Sequence, residues 1–194
     1  MGKRILLVGI VGSIIVFVIS SIVHIGLGLG ETGIKMLPHE DILFLAMRAS
    51  IPETGIYIFP GTSSGMAPNK ATPAERDNYM AKYQRGPTGI LIYQAHGMAL
   101  NIGKLLGGQY LFGLIGCLIV AWILATTAGS TAFGSRVAIV TMIALFAGIL
   151  YDLPYWNWYG FPTDYVTGHI VTNTITWAIA GIGMATMIKK PATA

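Results

Sequence analysis

Apolar residues fall into four long runs along the chain, and polar residues are concentrated between the first run and the second. The runs cover residues 5–27, 105–125, 136–153 and 165–188. A helix needs about 20 mainly apolar residues to cross the hydrocarbon core of a bilayer. Backbone polar groups in lipid must be satisfied within helices or closed barrels, and these runs lack the two-residue alternation of barrel strands. The pattern therefore predicts four transmembrane helices.

The segment between the first two runs, residues 28–103, is too long for a simple loop. Pro38 and the acidic residues that follow it are typical of a helix start. This helix is predicted to reach about residue 49. Thr72, Pro73 and Glu75 form a capping box that opens a second helix. The buried face of the first helix is predicted to consist of Ile42, Leu45, Ala46 and Ala49.

Each of these helices is followed by nearly the same six-residue sequence motif, TGIYIF at 54–59 and TGILIY at 88–93. Both are typical of short strands entered through a glycine turn, and their likeness predicts that they pair. The predicted fold class is therefore an all-α membrane protein. It is a four-transmembrane-helix bundle, with a small α/β extracytoplasmic domain inserted between helices 1 and 2. The predicted regions are a first helix at 1–27, the insertion at 28–103 and three further helices at 104–190.

An aromatic segment joins the third and fourth runs. Pro154 and Pro162 are predicted to end the helices there, because proline withholds an amide. The result is an aromatic outer hairpin at 151–165. Trp and Tyr favour the membrane–water interface, and a groove for a lipid or quinone has a similar composition. The candidate lipid or quinone contacts are Tyr155, Trp156, Trp158 and Tyr159.

Charge sets the predicted orientation. Only 10% of residues are charged, 54% are apolar and the formal net charge is +4. Cytoplasmic flanks of membrane helices are enriched in Lys and Arg. With both termini in the cytoplasm of a bacterium, that side of the inner membrane carries only basic residues, and all eight acidic residues lie outside with 28–103. No basic patch with interleaved aromatics is present, so a nucleic-acid partner is not expected. The cytoplasmic basic residues are Lys3, Arg4, Arg136, Lys189 and Lys190.

Small residues on the predicted helices favour close helix packing. Gly9 and Ser13 form a small-xxx-small pair in the first helix, and the second helix contains glycines at 107, 108, 113 and 116. Partners expected from this pattern are the lipid bilayer and other membrane subunits.

The candidate functional residues are ionisable side chains that form a layer near the outer ends of the helices. No common catalytic motif is present, which disfavours an enzyme. His24 and His169 lie at a similar predicted depth, with Asp152 beside them. Two imidazoles and a carboxylate resemble a divalent-metal site, and two facing imidazoles could hold a haem. Alternatively, these side chains reach water at the interface and have a purely structural role.

Several phrases together resemble an uncharacterised family of bacterial integral membrane proteins with four helices. They are His24 before a glycine-rich exit, ETGIKMLPHED at 31–41, SIPE at 50–53, YIFPG at 57–61, GPTG at 86–89 and YWNWYGFP at 155–162. The resemblance spans most of the chain and implies one anchor helix, an outer segment and three further helices. It implies no activity.

Two functions follow as hypotheses. The first is a non-catalytic accessory subunit of a larger respiratory or photosynthetic membrane complex. The alternative is a metal- or haem-binding membrane protein in redox or transport, which uses His24, His169 and Asp152. Lipid or quinone binding under the aromatic hairpin is compatible with both.

Overall fold

The computed structural model describes residues 2–62, 70–127 and 130–188. Four of its helices are long and apolar enough to cross a membrane. The prediction of four membrane-spanning helices is confirmed at this level, and the chain is consistent with a multi-pass membrane protein. In chain order these helices are α1 (Gly2–Ser21), α4 (Ile102–Thr127), α5 (Phe133–Tyr159) and α6 (Thr163–Met187).

The chain divides into two compact units, residues 1–34 with 101–194 and residues 35–100. We call them the helical unit and the inserted unit. The inserted unit contains α2 (Glu40–Ser50), β1 (Gly55–Phe59), α3 (Pro73–Arg85) and β2 (Gly89–Tyr93). The two strands form an antiparallel pair, in which Tyr57 lies opposite Leu91. The predicted strand pair is therefore confirmed.

The start of α3 forms as the sequence predicts. The Thr72 hydroxyl accepts from the backbone N–H of Glu75, and the Glu75 carboxylate accepts from the N–H of Thr72. These reciprocal bonds satisfy two amides that the first helical turn leaves without partners.

The predicted burial on α2 is wrong. Ile42 and Leu45 are 69% and 70% exposed, and Ala46 and Ala49 are not buried. Amphipathic spacing selects an apolar face, but burial requires an element that covers it. Of the described residues in the inserted unit, Ala71 is the only buried apolar one.

The helical unit is organised around α1 and α6. α1 packs against both α4 and α6, and α6 packs against α5. α4 and α5 are consecutive but make few contacts with each other. Close approach relies on small residues: a Cβ at Gly9 would meet Leu118 of α4, and one at Gly12 would meet Met184 of α6. The predicted packing role of Gly9 is therefore confirmed.

Burial is concentrated in one half of the helical unit. The core joins Val8 and Val16 of α1 and Val140 of α5 to the second half of α4 and the C-terminal end of α6. In the other half the helices bury fewer side chains, and a cavity lies between α5 and α6. The core residues are Val8, Val16, Cys117, Val120, Ala121, Leu124, Val140, Ala180, Met184 and Ile188.

Pro154 does not end α5, contrary to the prediction. The helix continues through it to Tyr159 and ends at Gly160, whose φ of 68° is left-handed. Helices in membranes tolerate proline because neighbouring groups and local adjustments satisfy the freed carbonyl. α6 begins directly after Pro162, which occupies its N-cap. The predicted hairpin at 151–165 is therefore mostly helical, with a turn at 160–162.

Candidate functional site between α5 and α6

The α5–α6 interface is built on a single ridge of α5. Its buried residues recur at every fourth position, the spacing with which one helix face packs into the groove of another. The middle of the ridge is apolar and its two ends are charged. In order, the residues are Arg136, Val140, Ala144, Gly148 and Asp152.

Small residues bring α6 close to this ridge. A Cβ at Gly148 would lie 3.3 Å from Ile170, and one at Gly181 would lie 2.9 Å from Val140. These contacts align the two antiparallel helices. With this register, residue 169 of α6 lies opposite residue 152 of α5.

The Asp152 end of the ridge carries a carboxylate–imidazole pair. Oδ2 of Asp152 lies 2.8 Å from Nδ1 of His169. The Asp152 side chain is 9% exposed, whereas the His169 side chain is 45% exposed. The pair therefore links the interface to the surface of the helical unit.

The contact fixes which ring nitrogen faces the carboxylate. An ionised carboxylate can only accept hydrogen bonds, so when Asp152 is ionised the proton of this bond belongs to Nδ1 of His169. In a neutral imidazole, Nε2 is then an acceptor, and in the protonated form it is a donor. Asp152 thus holds the ring in one orientation and leaves Nε2 for another partner. The same arrangement orients histidines that bind metals and histidines that exchange protons.

Tyr165 and the segment after α1 support the imidazole. The Tyr165 and His169 rings are parallel within 7°, with centroids 6.2 Å apart. Gly33 approaches the backbone of Tyr165 so closely that a Cβ at 33 would lie 2.7 Å from its nitrogen, and its φ of 77° also favours glycine. The side chain of Thr32 packs against Gly168, where a Cβ would lie 3.3 Å from it.

Among the described residues, His24 is not a hydrogen-bond partner of this pair. It belongs to a π-helical turn, Ile22–Gly26, that continues α1, and Gly30 packs directly against its ring. Among the residues that the structure describes, no three His, Cys, Asp or Glu side chains come close enough together to hold a metal ion. Of the predicted set, His169 and Asp152 are in contact, and the metal or haem site itself stays a prediction.

A cavity of about 430 Å³ opens beside the pair. Its size falls within the range of small-molecule sites, which are mostly apolar with a few convergent polar groups. Asn173 lies one turn beyond His169 on α6, and its carboxamide has no hydrogen-bond partner among the described residues. Phe146 and Leu150 are exposed, so the cavity opens to the surface of the helical unit. The lining is Phe146, Ala147, Gly148, Leu150, Tyr151, Asp152, His169 and Asn173.

The aromatic cluster predicted to contact a lipid or quinone does not line this cavity. Trp158 is exposed, and the Trp156 indole donates to Thr163 Oγ1 at 3.1 Å. Tyr155 contacts the rings of Tyr151, Tyr159 and Phe161. The sequence analysis missed Phe146 and Gly148 as site residues. The signal for Gly148 was the four-residue spacing back from Asp152, whereas Phe146 lies off that ridge and no spacing indicates it.

Comparisons with known proteins found no relative: no family model, no curated protein and no solved structure matches the chain.

Proposed function

We propose that this membrane protein binds a lipid-soluble ligand of the quinone class between α5 and α6. The observation that carries the proposal is the 2.8 Å bond between Asp152 and His169 at the wall of an apolar cavity. An acyl chain would gain nothing from an oriented imidazole. A ring with carbonyl or hydroxyl groups would gain a hydrogen-bond partner in Nε2.

Asn173 supports a ligand with two polar groups. It lies four residues after His169, so the two side chains project from the same face of α6, about 6 Å apart along its axis. A quinone carries two carbonyl oxygens on opposite sides of one ring. One can accept from protonated His169 and the other from the Asn173 carboxamide, while Phe146 and Leu150 cover the apolar body.

The test is binding of a short-chain quinone analogue to the purified full-length protein in lipid nanodiscs. His169→Gln and Asp152→Asn should each weaken binding about tenfold, because each removes a charge-assisted hydrogen bond or the group that orients it. His24→Gln is the matched control, since it removes an imidazole that does not line the cavity. Equal affinity of the wild type and His169→Gln would refute the proposal.

The same preparation tests the metal or haem hypothesis. An absorption spectrum and metal analysis of the wild type, His24→Gln and His169→Gln should show no stoichiometric haem or metal if the site is a quinone site. A bound metal or haem that both substitutions remove would favour the two-histidine site instead.

We also propose that the protein lies in a bacterial inner membrane with both termini cytoplasmic and the inserted unit outside. The basic residues in the short flanks support this orientation, since with the termini inside the cytoplasmic side carries Lys3, Arg4, Arg136, Lys189 and Lys190. Reporter fusions at residue 62 and after residue 188 test it. A reporter that is extracytoplasmic after residue 188 would contradict the proposal.

A second candidate function, compatible with the first, is that of an accessory subunit in a larger membrane complex. Two observations favour it. A Cβ at Gly107 or Gly113 of α4 would meet no described atom within 4 Å, although small residues on membrane helices usually mark helix contacts. The inserted unit also leaves apolar side chains uncovered, including Ile56 and Ile92, which are paired across the two strands.

A matched pair of glycine substitutions tests the subunit hypothesis. Gly113→Leu should remove the protein from large complexes in mild detergent and leave the isolated chain as stable as the wild type. Gly116→Leu should destabilise the isolated chain itself, because a Cβ there would lie 3.1 Å from Trp177. Wild-type protein that migrates alone from native membranes would contradict the hypothesis.

A further inference from the structure

The Arg136 end of the α5 ridge contains a buried cation that the chain satisfies only in part. Arg136 is 6% exposed. Its Nη1 donates to the carbonyl oxygen of Thr131 at 2.9 Å. Its Nε is buried and has no hydrogen-bond partner among the residues that the structure describes. A buried charge without full pairing is costly, so this guanidinium needs a further acceptor.

The chain has no carboxylate side chain to offer at this end. The nearest acidic residue along α5 is Asp152, about 24 Å away at about 1.5 Å per residue. Asp152 is already bonded to His169. The other acidic side chains are Glu31, Glu40, Asp41, Glu53, Glu75, Asp77 and Asp164, and all of them lie outside the sequence segments that form this end.

Arg4 offers a useful contrast at the same end of α6. Its Nε and Nη2 both donate to the carbonyl oxygen of Met187, at 3.0 and 2.7 Å. Arg4 thus caps the last turn of α6, where a cation also interacts favourably with the helix dipole. Arg4 uses the Nε–Nη2 edge of its guanidinium for these bonds. On the same edge of Arg136, Nε has no partner among the described residues.

We propose that Arg136 binds the phosphate group of an anionic phospholipid. A phosphate oxygen can accept from Nη2 of Arg136, which is not one of the buried nitrogens and donates to no described residue, and its charge also compensates the buried guanidinium. Arg136 lies in the first turn of α5, about 5 Å from its start, which is the depth of a headgroup rather than of the bilayer centre. The sequence places four more basic residues at this end, and basic sites between helices attract anionic headgroups.

The test compares lipid selectivity of full-length variants in nanodiscs made from phosphatidylcholine alone or with phosphatidylglycerol. Lipid retained after detergent exchange is measured by native mass spectrometry. The wild type should retain phosphatidylglycerol over phosphatidylcholine, and Arg136→Gln should lower that preference about fivefold. Arg4→Gln is the matched control, because it removes a positive charge at the same end of the helical unit. The Nε–Nη2 edge of Arg4 already binds a carbonyl oxygen, so this substitution should change the preference less than twofold.

Further arms separate the sources of phosphate and guard against misfolding. Inorganic phosphate added to phosphatidylcholine nanodiscs should not raise the melting temperature of the wild type. If it does so as strongly as phosphatidylglycerol, the ligand is the free ion and the lipid proposal is wrong. Arg136→Lys keeps the charge without the fork and should show an intermediate preference. Unchanged selectivity in both Arg136 variants would show that the residue only braces the loop through Thr131.

Discussion

The buried charges at the two ends of the α5 ridge are paired in different ways. Asp152 and Arg136 are both buried charged residues on one helix face, four ridge positions apart. Asp152 is paired by a side chain of α6, beside a cavity in the loosely packed half of the helical unit. Arg136 lies by the tightly packed half; within the described part of the chain it has one backbone partner, and its Nε has none.

The difference indicates what each end can do. A charge that is paired within the chain orients its partner, so the Asp152 end can present the imidazole of His169 to a ligand. A buried charge that the described residues pair only in part is costly, so the Arg136 end is suited to the lipid phosphate that we propose for it.

The largest expected effect comes from separating the two helices between these ends. Gly181→Leu would place a side chain where a Cβ already lies 2.9 Å from Val140. Overpacking of this kind should cost about 3 kcal/mol of unfolding free energy. It should also weaken quinone-analogue binding and lipid selectivity together, because both ends depend on one register. Gly113→Leu is the control for unfolding in detergent. Loss of quinone-analogue binding alone, or of lipid selectivity alone, would show that the two ends of the ridge are independent.

A smaller effect is expected from removing one partner of the paired end. His169→Leu leaves the buried Asp152 carboxylate without its donor, which should cost about 2 kcal/mol. Asp152→Leu combined with His169→Leu should recover most of that loss, because no buried charge then lacks a partner. A double-mutant cycle measured by detergent unfolding tests this. Additive losses from the two single substitutions would contradict the coupling.

The smallest effect should depend on the lipid. Arg136→Met removes a partly satisfied buried charge, so in phosphatidylcholine the stability should stay nearly unchanged. In phosphatidylglycerol it should fall by about 1 kcal/mol relative to the wild type, the contribution of one basic residue to binding an anionic surface. Thermal unfolding in the two kinds of nanodisc gives the difference. A loss of the same size in both lipids would show that Arg136 acts only within the chain.

Local signals predicted local structure well. The strand pair follows from two similar phrases, and the start of α3 follows from Thr72, Pro73 and Glu75. The capping box depends on residues that lie a few positions apart in the chain. The strand pair depends on backbone pairing, which the alternating apolar positions of strand segments indicate. Pro154 shows the limit, because its effect on a helix depends on neighbours that relieve the missing hydrogen bond.

The candidate site was predictable only in part. His24, His169 and Asp152 share a similar predicted depth, yet depth does not say which side chains meet. Residues at one depth can lie on opposite sides of a group of helices. Phe146 and Asn173 acquire a role only through the cavity, which no residue spacing encodes.

Four long apolar runs determined by themselves that the chain forms four helices able to cross a membrane, because no soluble core of this size could bury so many apolar residues. The tertiary structure decided that Asp152 pairs with His169 and that Nε of Arg136 has no partner among the described residues. The reason is register: Gly148 and Gly181 let α5 and α6 approach closely, and that approach places His169 opposite Asp152.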